Sequence, residues 1–148
     1  MREYLKSFEI LSEKDIDQLI KIGVERSLKK YEYLIREGEQ CREVAFLVRG
    51  IFRSFFTSEE GNEITYCINF PPQFTTAYSA YISGKESEES IQAITDVEVW
   101  MFPRKELLQL AETNPRWMKF HRVLAEQQYC ARKKNFFSSK TRYNTTLL

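Results

Sequence analysis

The residues best suited to holding a small molecule lie between Phe74 and Ile82, where Thr75, Thr76, Tyr78, Ser79 and Tyr81 bring hydroxyl groups together. Hydroxyls donate and accept hydrogen bonds without carrying charge, so such a stretch can orient a ligand against an apolar floor. The same residues also read as packing. Phe74, Tyr78, Tyr81 and Ile82 stand at i, i+4, i+7 and i+8, the inward side of a short helix that plugs a core. On the residues alone both readings stay open.

Other reactive side chains are sparse. His121 is the only histidine, with no cysteine or acidic residue at metal spacing on its helix face; it reads as a solvated or interface residue rather than a ligand. Cys41, Cys67 and Cys130 are far apart, which excludes the clustered thiolates of an iron–sulfur site. Cys67 falls in a strand and reads as inert; Cys41 falls in a polar loop and is the candidate redox thiol. Arg132, Lys133 and Lys134, with Lys140 and Arg142, form a basic cluster that suits a solvated helix end or contact with phosphate. The sequence contains no glycine-rich phosphate loop, no nucleophile paired with a base and no clustered carboxylates, so no enzyme is expected. No metal and no cofactor is expected either.

Composition sets the frame. The chain has 148 residues, 43% hydrophobic and 29% charged, which suits one globular domain. Lys plus Arg number 22 against 21 Asp plus Glu, so no overall basic field marks a nucleic-acid binder. No apolar run reaches the ~18 residues of a membrane span, and Met1-Arg2-Glu3-Tyr4 opens no signal peptide. Reduced thiols in a cytoplasm are the expectation.

The elements that must position the hydroxyl segment are mostly strands. Val44–Val48 and Ile51–Phe56 are short apolar runs separated by Gly50 and read as buried strands. Ile64–Phe70 alternates, with Ile64, Tyr66, Ile68 and Phe70 on the expected inward face and Thr65, Cys67 and Asn69 on the other. Gly61-Asn62 supplies the turn before it, and Pro71-Pro72 stops it. Leu34-Ile35, Ile91–Ile94 and Val97–Phe102 read as further strands. Ahead of them, Ser12 and Asp15 form a capping box for a helix that Gly23 ends. Behind them, Pro103 begins one helix and Asn114-Pro115 another, the second running to about Phe137. Its apolar residues Trp117, Met118, Phe120, Val123, Leu124 and Ala131 cover more than one side, which suits a helix that touches both its own domain and a partner.

A leading helix, a β core with a small helix inserted and two trailing helices is an order that resembles the sensor domain of the Crp/Fnr family of bacterial transcription regulators. The resemblance covers roughly Tyr4 to Phe137 and rests on Tyr33-Leu34-Ile35-Arg36-Glu37-Gly38-Glu39, Val44-Ala45-Phe46-Leu47-Val48-Arg49-Gly50, Glu60-Gly61 and Asn114-Pro115. It implies a mainly β fold with flanking helices, a jelly-roll (double-stranded β-helix) of the cyclic-nucleotide-binding type over residues 1–113. It implies a long dimerisation helix over 114–137 and a homodimer, with Trp117, Phe120, Val123, Leu124, Gln127 and Ala131 at the interface. Residues 138–148 would be a tail or the start of a linker to a winged helix-turn-helix, which would leave DNA contact to a domain outside this chain. The effector would be an unidentified small molecule.

This sequence departs from the family pattern in places. Tyr31 stands where the family has a glycine. The family's phosphate grip has a Gly-Glu pair entering the small helix and an Arg further on; here those positions read Thr76, Ala77 and Ser87. An arginine fork and backbone donors hold the phosphate, and the Glu accepts from the ribose hydroxyl. With neutral residues at all three positions, ordinary cyclic-nucleotide binding is not expected, and the candidate ligand-binding set is Phe74, Thr75, Thr76, Ala77, Tyr78, Ser79 and Ser87. Two other readings remain: a stand-alone oligomerisation or protein-interaction module with a vestigial pocket, and a cupin-type enzyme, for which one histidine gives poor metal ligation.

Overall fold

The computed structural model describes residues 1–123 and 125. Leu124, Gln127, Cys130, Ala131 and the basic cluster from Arg132 lie outside the described residues, as does the expected course of the last helix beyond residue 125.

Two short helices lead the chain, α1 over Arg2–Lys6 and α2 over Glu13–Ile22. The capping box is present: Asp15 N–H donates to Ser12 Oγ at 3.2 Å, and Ser12 N–H donates to Asp15 Oδ2 at 2.9 Å. Eight strands follow, β1 Val24–Leu28, β2 Tyr33–Ile35, β3 Glu43–Arg49, β4 Phe52–Thr57, β5 Glu63–Asn69, β6 Gln73–Thr75, β7 Ser90–Ala93 and β8 Val97–Pro103. Helix α3, Tyr78–Ser83, is inserted after β6, and α4, Arg104–Thr113, follows β8. Residues 115–123 are helical again; Asn114 Oδ1 accepts from Arg116 N–H at 2.9 Å, so the asparagine caps that start.

The strands form two four-stranded sheets, ordered β1-β8-β3-β6 and β2-β7-β4-β5, with every pairing antiparallel. This is the expected jelly roll. The connections from β3 to β4 and from β7 to β8 each carry the chain from one sheet to the other. Val44 and Phe46 of β3, Phe74 of β6 and Phe102 of β8 sit on the outer side of the first sheet. There they pack with Leu5, Leu19, Leu107, Trp117 and Phe120 of the helices.

Strand β1 was not expected, because only Leu28 of its five residues is buried. The last strand of the expected trio also differs. On β5 the polar face points inward: Cys67 and Asn69 are buried, whereas Ile68 is 39% and Phe70 57% exposed. A bulge explains it. Ser54 pairs with Cys67 but Phe55 pairs with Thr65, so Tyr66 is an extra residue and the alternation changes face there. The inward polar groups have partners. Asn69 Nδ2 donates to Ser54 Oγ at 3.1 Å, and Asn69 Oδ1 accepts from Gln73 Nε2 at 2.9 Å and from Cys67 Sγ at 3.5 Å. Burial of these groups is therefore not the loss it would be if they were bare.

Tyr31 takes φ of 75°, in the left-handed region that favours glycine. Its N–H donates to Ala93 O at 2.7 Å and its carbonyl accepts from Gln92 Nε2 at 3.0 Å. These bonds hold a left-handed backbone that costs an L-residue about 1–2 kcal/mol. The side chain is 62% exposed and contributes little packing. Tyr31→Gly should therefore raise unfolding stability by about 0.5–1 kcal/mol in urea titration, the greater freedom of glycine in the unfolded chain offsetting part of the gain.

Candidate functional site

The segment expected to be one helix is split. Phe74 and Thr75 belong to strand β6, and only Tyr78–Ser83 is helical. Alternation along β6 therefore sends Phe74 and Thr75 to opposite sides of the first sheet. Phe74 faces the helices. Its ring lies 4.9 Å from Phe46, 6.0 Å from Phe120, and 6.1 Å from both Tyr4 and Phe102. Thr75, opposite Ala45, faces into the roll, where its Oγ1 is buried with no hydrogen-bond partner. Such a group costs about 1–3 kcal/mol until something satisfies it.

Thr76 Oγ1 stands 3.2 Å from Cys41 Sγ and donates to Glu43 O at 3.4 Å. Cys41 is buried rather than in an open loop, which removes the exposure a redox thiol needs. Cys67 is buried in β5, as its placement in a strand implied. Ala77 is buried and Ser79 is exposed. Ile82, expected to face inward, is 60% exposed. Ser87 is closed on its own loop: its Oγ donates to Glu89 O at 2.7 Å and accepts from Glu89 N–H at 3.2 Å. Ser87 N–H donates to Glu39 O, and Gly38 N–H donates to Ser87 O. Thr75, Thr76 and Ser87 are thus all buried, and none of the three can carry positive charge toward a phosphate.

Arg104, Gly84 and His121 fix α3 in place, and of these the sequence singled out only His121. Arg104 Nε donates to Tyr81 O at 2.7 Å, answering a carbonyl at the helix C-terminus. Gly84 closes the helix at φ of 72°, its N–H donating to Ala80 O. From the other side His121 reaches in. Its Nδ1 is 2.9 Å from Trp117 O, a carbonyl that can only accept, so Nδ1 carries the proton and Nε2 is the acceptor for Tyr81 O–H at 3.1 Å. The Tyr81 and His121 rings lie 4° from parallel with centroids 6.3 Å apart. Burial pushes the Tyr81 hydroxyl up to about 12, so it stays a donor at any physiological pH. The histidine read as a solvated or interface residue is therefore a tie between α3 and the helical segment 115–123. A Tyr81→Phe, His121→Ala double-mutant cycle should show a coupling of about 1 kcal/mol in thermal or urea unfolding.

Of the expected dimer residues, Trp117 and Phe120 are 1% and 2% exposed within the chain's own core, and Val123 is half-buried. Met118, on the same segment, is 63% exposed. Between that segment, α3, α2 and α4 lies a cavity of ≈ 40 Å³, lined by Leu19, Val44, Phe74, Thr76, Tyr78, Tyr81, Leu107, Trp117, Phe120 and His121. It is far smaller than the ~300 Å³ at the lower end of ordinary ligand pockets. Among the described residues no group of three or more His, Cys, Asp or Glu is placed to hold a metal. None of the described helices is long and apolar enough to cross a membrane.

The family model described as cyclic nucleotide-binding domain matches residues 25–114. No curated protein matches the chain. Among solved structures, the Thermus thermophilus catabolite activator protein superposes with a TM-score of 0.70 at 19% identity, over 87% of this chain and 61% of that one. The sensor domain of the transcriptional regulator DNR from Pseudomonas aeruginosa gives 0.72 at 19% identity, over 90% and 89%. The c-di-GMP-responsive global regulator CLP of Xanthomonas campestris gives 0.73 at 15% identity, over 86% and 62%. These likenesses establish a shared fold, and the chain spans about three-fifths of the first and third of these proteins.

Proposed function

The chain belongs to the cyclic nucleotide-binding domain family, and from that premise we propose that it is the effector-sensing part of a bacterial, cytoplasmic transcription regulator of the Crp/Fnr type. Its role is regulatory rather than catalytic. The observation that carries the reading is the Tyr81–His121 contact. It joins the small inserted helix, where an effector would be felt, to the segment that continues toward the expected dimerisation helix. A ligand that moves α3 changes the energy of one arrangement of that helix relative to another, which is what sensing requires. Residues 114–137 would pair with a second copy through the side of the helix that Trp117 and Phe120 do not occupy. DNA would be contacted by a winged helix-turn-helix outside this segment.

Cyclic AMP is not the effector in this proposal. Thr76, Ala77 and Ser87 stand where the family's phosphate grip has its Gly, Glu and Arg, and Thr76 and Ser87 are already bonded to neighbouring groups. The effector is instead a molecule without a phosphate, using the hydroxyls of the Phe74–Ser79 segment, among which Thr75 Oγ1 awaits a partner. The packing of Phe74 against four aromatic rings favours the second reading, an interaction module with a filled pocket. Sedimentation equilibrium separates the two. If α3 biases the dimer, Tyr81→Phe changes the dimer dissociation constant several-fold. An unchanged constant, together with indifference to every small molecule in a thermal-shift panel, leaves only the module.

A further inference from the structure

The contact between α3 and the segment 115–123 runs through the chain's single histidine, a residue type that changes charge between about pH 5 and pH 8. With a neutral ring, Nδ1 gives its proton to Trp117 O at 2.9 Å and Nε2 keeps a lone pair for Tyr81 O–H at 3.1 Å. Both ring nitrogens and the hydroxyl hydrogen then have partners. A second ring proton lands on Nε2 and faces that hydroxyl. The phenol oxygen can turn and accept it, but the phenol hydrogen then points away from its only hydrogen-bond partner among the described residues. Tyr81 is 4% exposed, so bulk water does not replace the partner, and Val44, Leu107 and Trp117 are among the walls nearby. A buried donor left bare costs more than an ordinary hydrogen bond returns.

The surroundings offer the charged ring no opposite charge. On its own segment the charged side chains are Arg116, Lys119 and Arg122, and Arg116 is paired with Asp15. From α4 comes Arg104, its guanidinium 5.8 Å from the Tyr81 ring. Helix α3 brings Tyr78 and Tyr81 and no charged residue. Leu19 of α2 and Val44 of β3 are hydrocarbon, and Cys41 stands behind Thr76 at 3.2 Å. None of the ion pairs among the described residues includes His121.

We propose that the Tyr81–His121 contact is a proton-operated switch: the neutral ring holds α3 to the segment 115–123, and protonation at Nε2 reverses the bond and loosens α3. The tie is whole at the upper end of the histidine range and weakens as pH falls through it. The consequence for pairing with a second copy rests on the sensor reading above; the switch itself does not.

The test uses the full chain with a ¹⁵N-labelled imidazole. One histidine gives one set of ring signals, which reports the tautomer and marks where Nε2 gains its proton. Hydrogen exchange at the Tyr81 and Gly84 amides, bonded to Ala77 O and Ala80 O, reads the state of α3. The expected result is an unprotonated Nε2 at pH 8 and a loss of protection at both amides of about five-fold or more by pH 5. That loss should follow the ring titration. Asp15, held at about 2, does not titrate in this range. His121→Gln gives Tyr81 an amide oxygen that stays an acceptor throughout, so protection should not change with pH. Tyr81→Phe, which has no hydroxyl to reverse, should be equally flat and serves if the glutamine variant does not fold. Three results overturn the proposal. One is a proton on Nε2 rather than Nδ1 at pH 8. Another is wild-type protection that stays constant while the ring titrates. The third is the wild-type pH dependence in His121→Gln or Tyr81→Phe. A dimer constant that stays fixed while protection falls keeps the switch and removes the sensor reading instead.

Discussion

Replacing Gly50 by alanine is expected to lower unfolding stability by about 3 kcal/mol or more, with chemical denaturation as the measurement. Gly50 lies where the chain leaves β3 for β4 and so crosses from one sheet to the other. The return crossing, from β7 to β8, packs directly on it. Ile51 N–H donates to Thr95 Oγ1 at 3.1 Å, and Ile94 N–H donates to Ile51 O at 3.0 Å. A Cβ on Gly50 would run into Asp96 O and would lie 2.6 Å from Val97 Cγ1 and 2.9 Å from Val97 Cα. Two of these atoms are backbone and cannot rotate away. The backbone φ of 95° adds the left-handed cost of about 1–2 kcal/mol to a displacement of about 1–3 kcal/mol. Gly38 and Gly61 separate the two effects. Both have positive φ, and neither has any atom within 4 Å of an added Cβ. Alanine at either should cost only the backbone share, about 1 kcal/mol. Equal losses at all three positions would show that the crossing is not a packed joint.

The second large effect is expected at Asp15. This carboxylate is 3% exposed and joins the start of α2 to the start of the segment 115–123. Its Oδ2 accepts from Arg116 Nε at 2.6 Å and from Ser12 N–H at 2.9 Å, and its Oδ1 accepts from Arg116 Nη2 at 3.1 Å and from Asn114 Nδ2 at 3.4 Å. The Arg116 guanidinium, first, and the bonds from Ser12 hold the Asp15 carboxyl down at about 2 against an ordinary 3.8. A depressed folded-state value means that the carboxylate stabilises the fold above the unfolded-state value. That stability is lost as pH falls from about 4 through about 2. The shift corresponds to about 2 kcal/mol at neutral pH, less whatever solvent screening removes, since the Arg116 side chain is 50% exposed. Asp15→Ala also removes the return bond of the capping box, so a loss of about 2–3 kcal/mol at pH 7 is expected. Asp15→Asn should flatten the stability profile between pH 4 and pH 2. A variant whose acid denaturation curve retained the wild-type slope there would show that the titration belongs to another group.

The fold was legible wherever a local signal and a tertiary demand coincided. Ser12 and Asp15 form the capping box that their spacing announces, and Asn114 caps where asparagine before proline says it should. Strands β3, β4, β7 and β8 lie within a residue or two of their apolar runs. Legibility failed where the decisive term was long-range. The inward face of β5 was misread because one extra residue, Tyr66, turns the alternation over, and a bulge leaves no mark in a single strand's pattern. Strand β1 was missed because four of its five residues are exposed and it is held by its ladder with β8. Phe74 looked like the first turn of a helix because its spacing to Tyr78 is four. It is instead a strand residue whose ring meets four others from distant parts of the chain. His121 read only as solvated or at some interface because its partner, Tyr81, is 40 positions away. The matching of Thr76, Ala77 and Ser87 to the family's phosphate positions comes from the resemblance alone; the structure adds that the Thr76 and Ser87 hydroxyls are bonded to neighbouring groups.

Isothermal titration of the purified chain with cyclic AMP is the most direct measurement of the account's central claim, that the family fold is present here without its anion grip. No binding heat up to millimolar nucleotide is predicted, with cyclic GMP behaving alike. A dissociation constant in the micromolar range or tighter for either nucleotide would contradict the claim, because it would require a phosphate partner that Thr76, Ala77 and Ser87 do not provide.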